Sequence, residues 1–457
     1  MEKQAHFNIE DSQRLFIPER IERLPMTGFQ RKCAAIIVIA WLFDTIDLGS
    51  MTFLLSTLKA EFQLTTTQAG LLGSMSFAGM FFGAMISGMA ADKFGRLKTL
   101  QISMLLWGVS GLLCAMATNV EMLFVFRFLL GIGLGAELPV ATAMLPELLP
   151  KTHRGRYVAI MEGLLPVGLI IAGLITYFVL PLVGWRWIFV IEAIPAFWLL
   201  VIRRKLPESP RWLESKGYTQ QAEETMVMME REVEARYGKP LPDFVKSGFN
   251  EEQSNKAPIT ELWSSLYWKR TLMLWIIWPF LLFGYYGLTT WLGSLLVEAG
   301  FTITTSITYI ILITLGGIPG FLASSYLIEK VGRKPVASIA MVMTAVSAYL
   351  YGHAGNLTTL IIWGFLLQFF IYAMWSAVYA YTPELYPTRM RATGCGLSSA
   401  IGRVGALLGP FIVGIVLVNY GVGTVFTMGA STFLISAVAI LLLGPETKGK
   451  VLEEVNH

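Results

Sequence analysis

The sequence predicts an all-α membrane protein: twelve membrane-spanning helices in two pseudo-symmetric bundles of six. Three observations predict it. Hydrophobic residues make up 54% of the 457 residues and charged residues only 14%, against roughly 25% charged in a typical soluble domain. Twelve apolar runs each approach or exceed the roughly 20 residues that cross a hydrocarbon core. Two separate motifs recur at one common offset of 237 residues. The composition also excludes a disordered chain. Three scattered cysteines, Cys33, Cys114 and Cys395, exclude a disulfide scaffold. The basic excess sits in loops between apolar runs and does not indicate a nucleic-acid partner.

Residues 1–30 are polar, so they predict a cytoplasmic N-terminal segment and no cleaved signal peptide. The apolar runs then fall at about 31–56, 68–90, 98–118, 121–146, 158–182 and 186–204. A polar stretch, 205–268, contains the charged, helix-like run Glu223–Glu232 and reads as a cytoplasmic central loop. Six more runs follow at about 269–296, 304–328, 335–352, 357–382, 393–419 and 422–444. The expected division is therefore a first bundle over 31–204, a second over 269–444 and a cytoplasmic tail over 445–457. With both termini inside, the cytoplasmic segments hold 31 of the 35 Lys and Arg residues. The four others are Lys59, Arg127, Arg186 and Arg403. That asymmetry predicts cytoplasmic termini, in the inner membrane of a cell whose loops obey the positive-inside bias.

The repeat is carried by Asp92-Lys-Phe-Gly95-Arg96 with Glu329-Lys-Val-Gly332-Arg333, and by Pro146-Glu147-Leu-Leu-Pro150 with Pro383-Glu384-Leu-Tyr-Pro387. Arg154 follows the first copy and Arg391 the second. Pro207-Glu208-Ser209 and Pro445-Glu446-Thr447 close the two halves. Six spans per half leave both halves running the same way, a parallel repeat with its site expected at the interface between halves. In each short loop a glycine makes the turn and an arginine pairs with acids beneath the membrane face. Asp92, Arg96, Glu147, Arg154, Glu208, Glu329, Arg333, Glu384, Arg391 and Glu446 thus read as a cytoplasmic latch. It would close that side in one state and release as the halves rock. Plain positive-inside anchoring is the alternative.

These motifs resemble the loop signature of the major facilitator superfamily, here Gly88-Met-Ala-Ala-Asp92-Lys-Phe-Gly95-Arg96-Leu-Lys98. The second copy begins with Ser325 and carries Glu329 in place of Asp. Pro207-Glu-Ser-Pro-Arg211-Trp-Leu is similar to the element that ends the sixth span in sugar porters and organic ion transporters. More specifically, the chain resembles the bacterial NiaP niacin transporters. That resemblance rests on Trp41-Leu-Phe-Asp44-Thr-Ile-Asp47, Gly133-Leu-Gly-Ala-Glu137-Leu-Pro-Val-Ala, Tyr285-Tyr286-Gly287, Tyr379-Ala-Tyr-Thr-Pro-Glu384, Arg391-Ala-Thr-Gly394 and Gly402-Arg403-Val-Gly405.

Ionisable groups inside a membrane are costly, so each is a functional candidate. Arg403 falls near mid-depth of the eleventh run, where topology needs no cation. Its planar fork matches a carboxylate. A structural pair with Asp44 or Asp47 is the alternative. The resemblance to organic anion transporters, which carry an arginine in a similar segment, favours substrate binding. Asp44 and Asp47, three residues apart, share a helix face. They and Glu137 are the candidates for taking up and releasing a proton. Gln368, Tyr372, Trp375 and Tyr379 repeat at helical spacing on the tenth run, and Tyr285 and Tyr286 sit mid-way along the seventh. Together they read as a surface for an aromatic ring, with ordinary helix packing as the alternative. Glu162 reads as lying near the inner face, within reach of the latch, and Arg127 as structural. Gly131-Ile-Gly133-Leu-Gly135 lacks the spacing of a phosphate loop and reads as a close helix contact.

No histidine pair has metal-ligand spacing and no nucleophile meets a base, so neither metal, cofactor nor enzymatic activity is expected. The expected function is secondary transport by alternating access. The resemblance implies nicotinate or a similar small aromatic carboxylate as substrate, moving with a proton. The expected partners are that substrate, the proton and the lipid bilayer, for a chain working as a monomer. Two other readings stay open. One is a porter of another organic ion or a sugar-like solute. The other is a transporter-like receptor that binds without turnover.

Overall fold

A computed structural model describes residues 17–242 and 259–448. His6, His457 and the outer parts of the expected terminal and central segments lie outside the described residues. A short helix, α1 (Ile17–Arg23), leads into α2 (Gly28–Glu61), α3 (Thr66–Phe94), α4 (Arg96–Ala115) and α5 (Val120–Leu148). The fifth span is broken into α6 (Lys151–Glu162) and α7 (Leu165–Val183). The sixth is α8 (Trp185–Ala193) and α9 (Trp198–Lys205), joined by a 3-10 turn. The central segment forms α10 (Pro210–Ser215) and α11 (Thr219–Tyr237), which contains the charged run expected to be helical.

The second half repeats the pattern with α12 (Trp268–Glu298), α13 (Ile303–Thr314), α14 (Gly317–Lys330), α15 (Arg333–Gly352), α16 (Leu357–Glu384) and α17 (Thr388–Leu443). Here the eighth span is the broken one, and α17 carries two spans that turn at Gly421, where φ is +77°. Among the described residues, 11 helices are long and apolar enough to cross a membrane. The last counts twice, which gives the twelve spans that the sequence predicts.

Local signals show why the two halves fold alike. Thr65 and Thr302 cap α3 and α13; Asn119 and Asn356 cap α5 and α16. Each cap accepts a hydrogen bond from a first-turn amide, at 2.9 Å for both asparagines and 3.2 Å for both threonines. The cap pairs share the motif offset of 237 residues. So do the positive-φ turns: Gln63 with Gly300, Gly95 with Gly332, and Gly184 with Gly421. The loop glycines are required twice over. Gly95 and Gly332 have φ of +106° and +125°, and a Cβ on them would meet Glu208 Oε2 at 2.3 Å and Glu446 Oε2 at 2.7 Å.

Glycines also set the helix spacing. A Cβ at Gly79 would lie 2.0 Å from Phe128 O, and one at Gly131 would lie 2.1 Å from Ser76 O. Gly131 and Gly135 of α5 therefore make backbone-to-backbone contacts with α3, while Gly133 packs on Trp107 of α4, as small residues do in other membrane helix pairs. Large apolar side chains such as Phe178, Leu182, Leu322, Val418 and Leu442 point outward, where lipid lies.

The halves meet mainly through α2 with α12, α3 with α17 and α7 with α13. Gly70 and Gly73 pack on Pro410, Gly293 on Thr52, and Gly173 on Ile311. Lys59 and Glu298 form an ion pair of 2.8 Å between the ends of α2 and α12. These contacts gather toward the face opposite the one that carries α1 and the central segment.

Candidate functional site

A cleft lies between the halves. Trp41, Leu48, Phe77, Met80, Leu138, Glu162 and Leu165 line it from the first half. Trp278, Leu282, Tyr286, Tyr379, Ser399, Arg403 and Ala406 line it from the second. Trp41 and Trp278 are repeat partners, as are Glu162 and Ser399. The cleft therefore straddles the pseudo-symmetry axis that relates the two halves.

Arg403 is 9% exposed and borders this cleft, flanked by Tyr286 and Tyr379. Among the described residues no carboxylate forms an ion pair with it. The structural pairing with Asp44 or Asp47 does not form, because both aspartates have other neighbours. Asp47 lies 3.5 Å from Arg127, which also packs over the Phe189 ring at 5.8 Å. Asp44 is fully buried against Glu137. The indole N–H of Trp107 donates to Glu137 at 3.0 Å. Glu192, which no sequence motif singles out, sits beside Asp47 and Arg127. Four buried acids thus accompany one arginine. Two carboxyl groups in contact without a cation between them are accommodated by sharing a proton.

The aromatic candidates divide. Tyr286 and Tyr379 line the cleft, and Tyr285 lines a smaller neighbouring space that shares Leu48, Leu165 and Tyr286 with it. Tyr372 is set back, its hydroxyl 3.0 Å from that of Tyr285. Trp375 packs edge-on to Tyr285 and tilted against Tyr379. Gln368 is buried with no hydrogen bond to its Oε1, and it does not border the cleft. One helical face need not be one wall: α16 leans so that only its last turns reach the opening.

Glu162 departs from expectation. The helix of the fifth span begins at Lys151 rather than near 158, so Glu162 stands about 17 Å along it at 1.5 Å per residue and not close to the inner face. It is 9% exposed, borders the cleft, and lies beside Tyr379. The signal that locates it is its repeat partner, Ser399, one turn before Arg403. Sequence reasoning also misses Trp41, Phe77 and Trp278, since lone aromatics in apolar runs carry no signature.

Eight of the ten latch residues form two matching clusters, each within one half. Arg96 pairs with Asp92 at 2.7 Å and approaches Glu147 at 3.6 Å. Arg333 pairs with Glu329 at 3.0 Å and Glu384 at 3.1 Å. Glu208 accepts the amides of Arg96 and Leu97 at 3.0 and 3.1 Å; Glu446 accepts those of Arg333 and Lys334, both at 3.1 Å. Each acid thereby caps a helix N-terminus. Arg154 instead pairs with Glu22 at 2.5 Å, and Arg211 joins it at 3.2 Å. Arg391 lies in the first turn of α17.

Two matched six-span halves around a polar, aromatic cleft define a membrane carrier. Residues 32–457 match the family described as sugar (and other) transporter. The niacin transporter NiaP of Acinetobacter baylyi is 37% identical over 95% of this chain and 98% of its own. The synaptic vesicle 2-related protein of Xenopus laevis is 30% identical over 96% of this chain and 83% of its own. The xylose transporter XylE of E. coli, in a partially occluded inward-open conformation, superposes with a TM-score of 0.74 at 18% identity, over 92% of this chain and 100% of that one. The chain belongs to the sugar (and other) transporter family of the major facilitator superfamily. Members of that family are multi-pass membrane transporters, not enzymes.

Proposed function

We propose that this protein carries nicotinate, or a closely similar small aromatic carboxylate, across the cytoplasmic membrane together with a proton. One observation carries the reading: a buried arginine, Arg403, with no acidic partner among the described residues, at the edge of an aromatic-walled cleft between the halves. An uncompensated cation there is costly unless an anion joins it. The relative named as a niacin transporter supports that choice of anion. Tyr286 and Tyr379, with Trp41, Trp278 and Phe77, supply flat apolar walls for a ring. Asp44 and Glu137 are the groups to carry the proton. XylE, a structural neighbour, is described as a proton:xylose symporter.

In this reading the two halves rock about the central cleft. The packed contacts at Gly70, Gly293 and the Lys59–Glu298 pair close the outer face. The charged clusters on the other face stay within their own halves and leave the cytoplasmic side open. The termini are cytoplasmic, and one chain suffices for transport. Residues 31–204 and 269–444 are the moving units.

Calorimetric titration of the purified protein with nicotinate tests the site. Binding is expected for the unaltered protein, and Arg403→Ala is expected to weaken it by roughly a hundredfold or more, the effect of removing one partner of a buried charge pair. Equal affinity for the two proteins would contradict the role of Arg403.

A further inference from the structure

We propose that Glu162 is a specificity residue that recognises the ring nitrogen of the substrate, so that the cleft selects a heteroaromatic carboxylate over a plain aromatic one. This rests on the nicotinate reading and sharpens it. The cleft holds one basic and one acidic side chain, from opposite halves: Arg403 on α17 and Glu162 at the end of α6. They do not pair with each other, although each is 9% exposed. Glu162 lies beside Tyr379 and has no basic partner among the described residues.

A carboxyl group has two oxygens, and the one Tyr379 hydroxyl beside it can engage only one of them. The other is available to a ring bound at Arg403, because Glu162 and Arg403 line the same cleft with Tyr286, Trp41 and Trp278. A pyridine-type nitrogen is a good acceptor in the plane of its ring. One hydrogen between that nitrogen and Glu162 satisfies both, whether the acid or the ring carries it. A benzene ring offers a C–H at the same place and leaves the carboxyl unsatisfied. Sites built to hydrogen-bond a ligand discriminate strongly against analogues that lack the partner group. Gln368, whose amide could also donate to such a nitrogen, is buried away from the cleft lining.

The test is displacement of labelled nicotinate from the purified protein by unlabelled nicotinate and by benzoate, which keeps the carboxylate and lacks the nitrogen. Benzoate is expected to compete at least tenfold less well. Glu162→Gln, whose amide can donate to the same nitrogen, is expected to keep most of that ratio. Glu162→Leu is expected to bring benzoate and nicotinate within about threefold of each other. If benzoate competes as well as nicotinate against the unaltered protein, the role of Glu162 is wrong while the carboxylate site stands. The same follows if Glu162→Leu binds and retains the full ratio. If unlabelled nicotinate itself fails to displace, the nicotinate reading falls and takes this inference with it. The first comparison needs no variant, so a misfolded substitution cannot obscure it.

Discussion

Arg403, Asp44 and Glu137 stand out in the sequence for one physical reason: a charge in an apolar run is costly and makes the residue a functional candidate. Their partners are not legible. That Asp44 meets Glu137, and Asp47 meets Arg127, depends on how α2, α5 and α8 cross, which no single run records. Glu162 is misplaced by the sequence because its helix starts at Lys151, earlier than the apolar run does. Gln368 and Tyr372 keep the right spacing but sit behind the wall rather than in it. At this scale the proton role is separable from substrate binding. Asp44→Asn removes one ionisable member of the Asp44–Glu137 pair and leaves Arg403 untouched. It is expected to keep nicotinate binding within a few-fold. In liposomes, nicotinate should still equilibrate across the membrane but no longer accumulate under a proton gradient. Undiminished accumulation by Asp44→Asn would remove Asp44 from the coupling step.

The elements are largely readable, and their order is readable in full. Apolar length locates the spans, and the loop glycines locate the turns. The cap pairs Thr65 with Thr302 and Asn119 with Asn356 extend the repeat into positions that carry no charge and so draw no notice. The docking of α1 is not readable, since its polar sequence pairs with a segment more than 200 residues away. Ile17 and Ile21 are buried, as are Met226, Met229 and Val233 of α11. Arg20 reaches Glu223 at 2.6 Å and Glu230 at 2.7 Å, and Arg23 reaches Glu230 at 2.6 Å. Burial pushes the Glu230 carboxyl up, but the Arg20 and Arg23 hydrogen bonds outweigh it and hold the group below its ordinary value. A carboxyl lowered by folding contributes stability that is present above its unfolded pKa, about 4.3, and lost as pH falls through the lower folded value. Hydrogen exchange of the α1 amides is therefore expected to stay slow from pH 7 to about 5 and to quicken, after correction for intrinsic rate, below about 4. Unchanged protection there, or loss already near neutral pH, would show that the arginine–glutamate contacts do not hold α1.

For the whole molecule, two similar halves meet around a cleft whose chemistry neither half supplies alone. The first brings Glu162 and Trp41, and the second brings Arg403, Tyr286, Tyr379 and Trp278. The repeat offset announces the two halves from sequence. It cannot announce which faces meet, because the glycine contacts at Gly70, Gly73, Gly293 and Gly414 are made by residues common throughout the chain. The clusters around Arg96 and Arg333 are expected from sequence as a cytoplasmic latch in which each half pairs its loop arginine with its own acids. Each closes within its own half here, as short-range pairs between a loop and its neighbouring helix ends do. A carrier of this build moves its substrate only if the cleft is reached from each side in turn. The most direct measurement is uptake of labelled nicotinate by the purified protein in liposomes, with and without an inward proton gradient, beside Arg403→Ala. The expected result is accumulation that needs the gradient and that Arg403→Ala abolishes. Failure of the folded, unaltered protein to take up nicotinate under either condition would contradict the proposed transport.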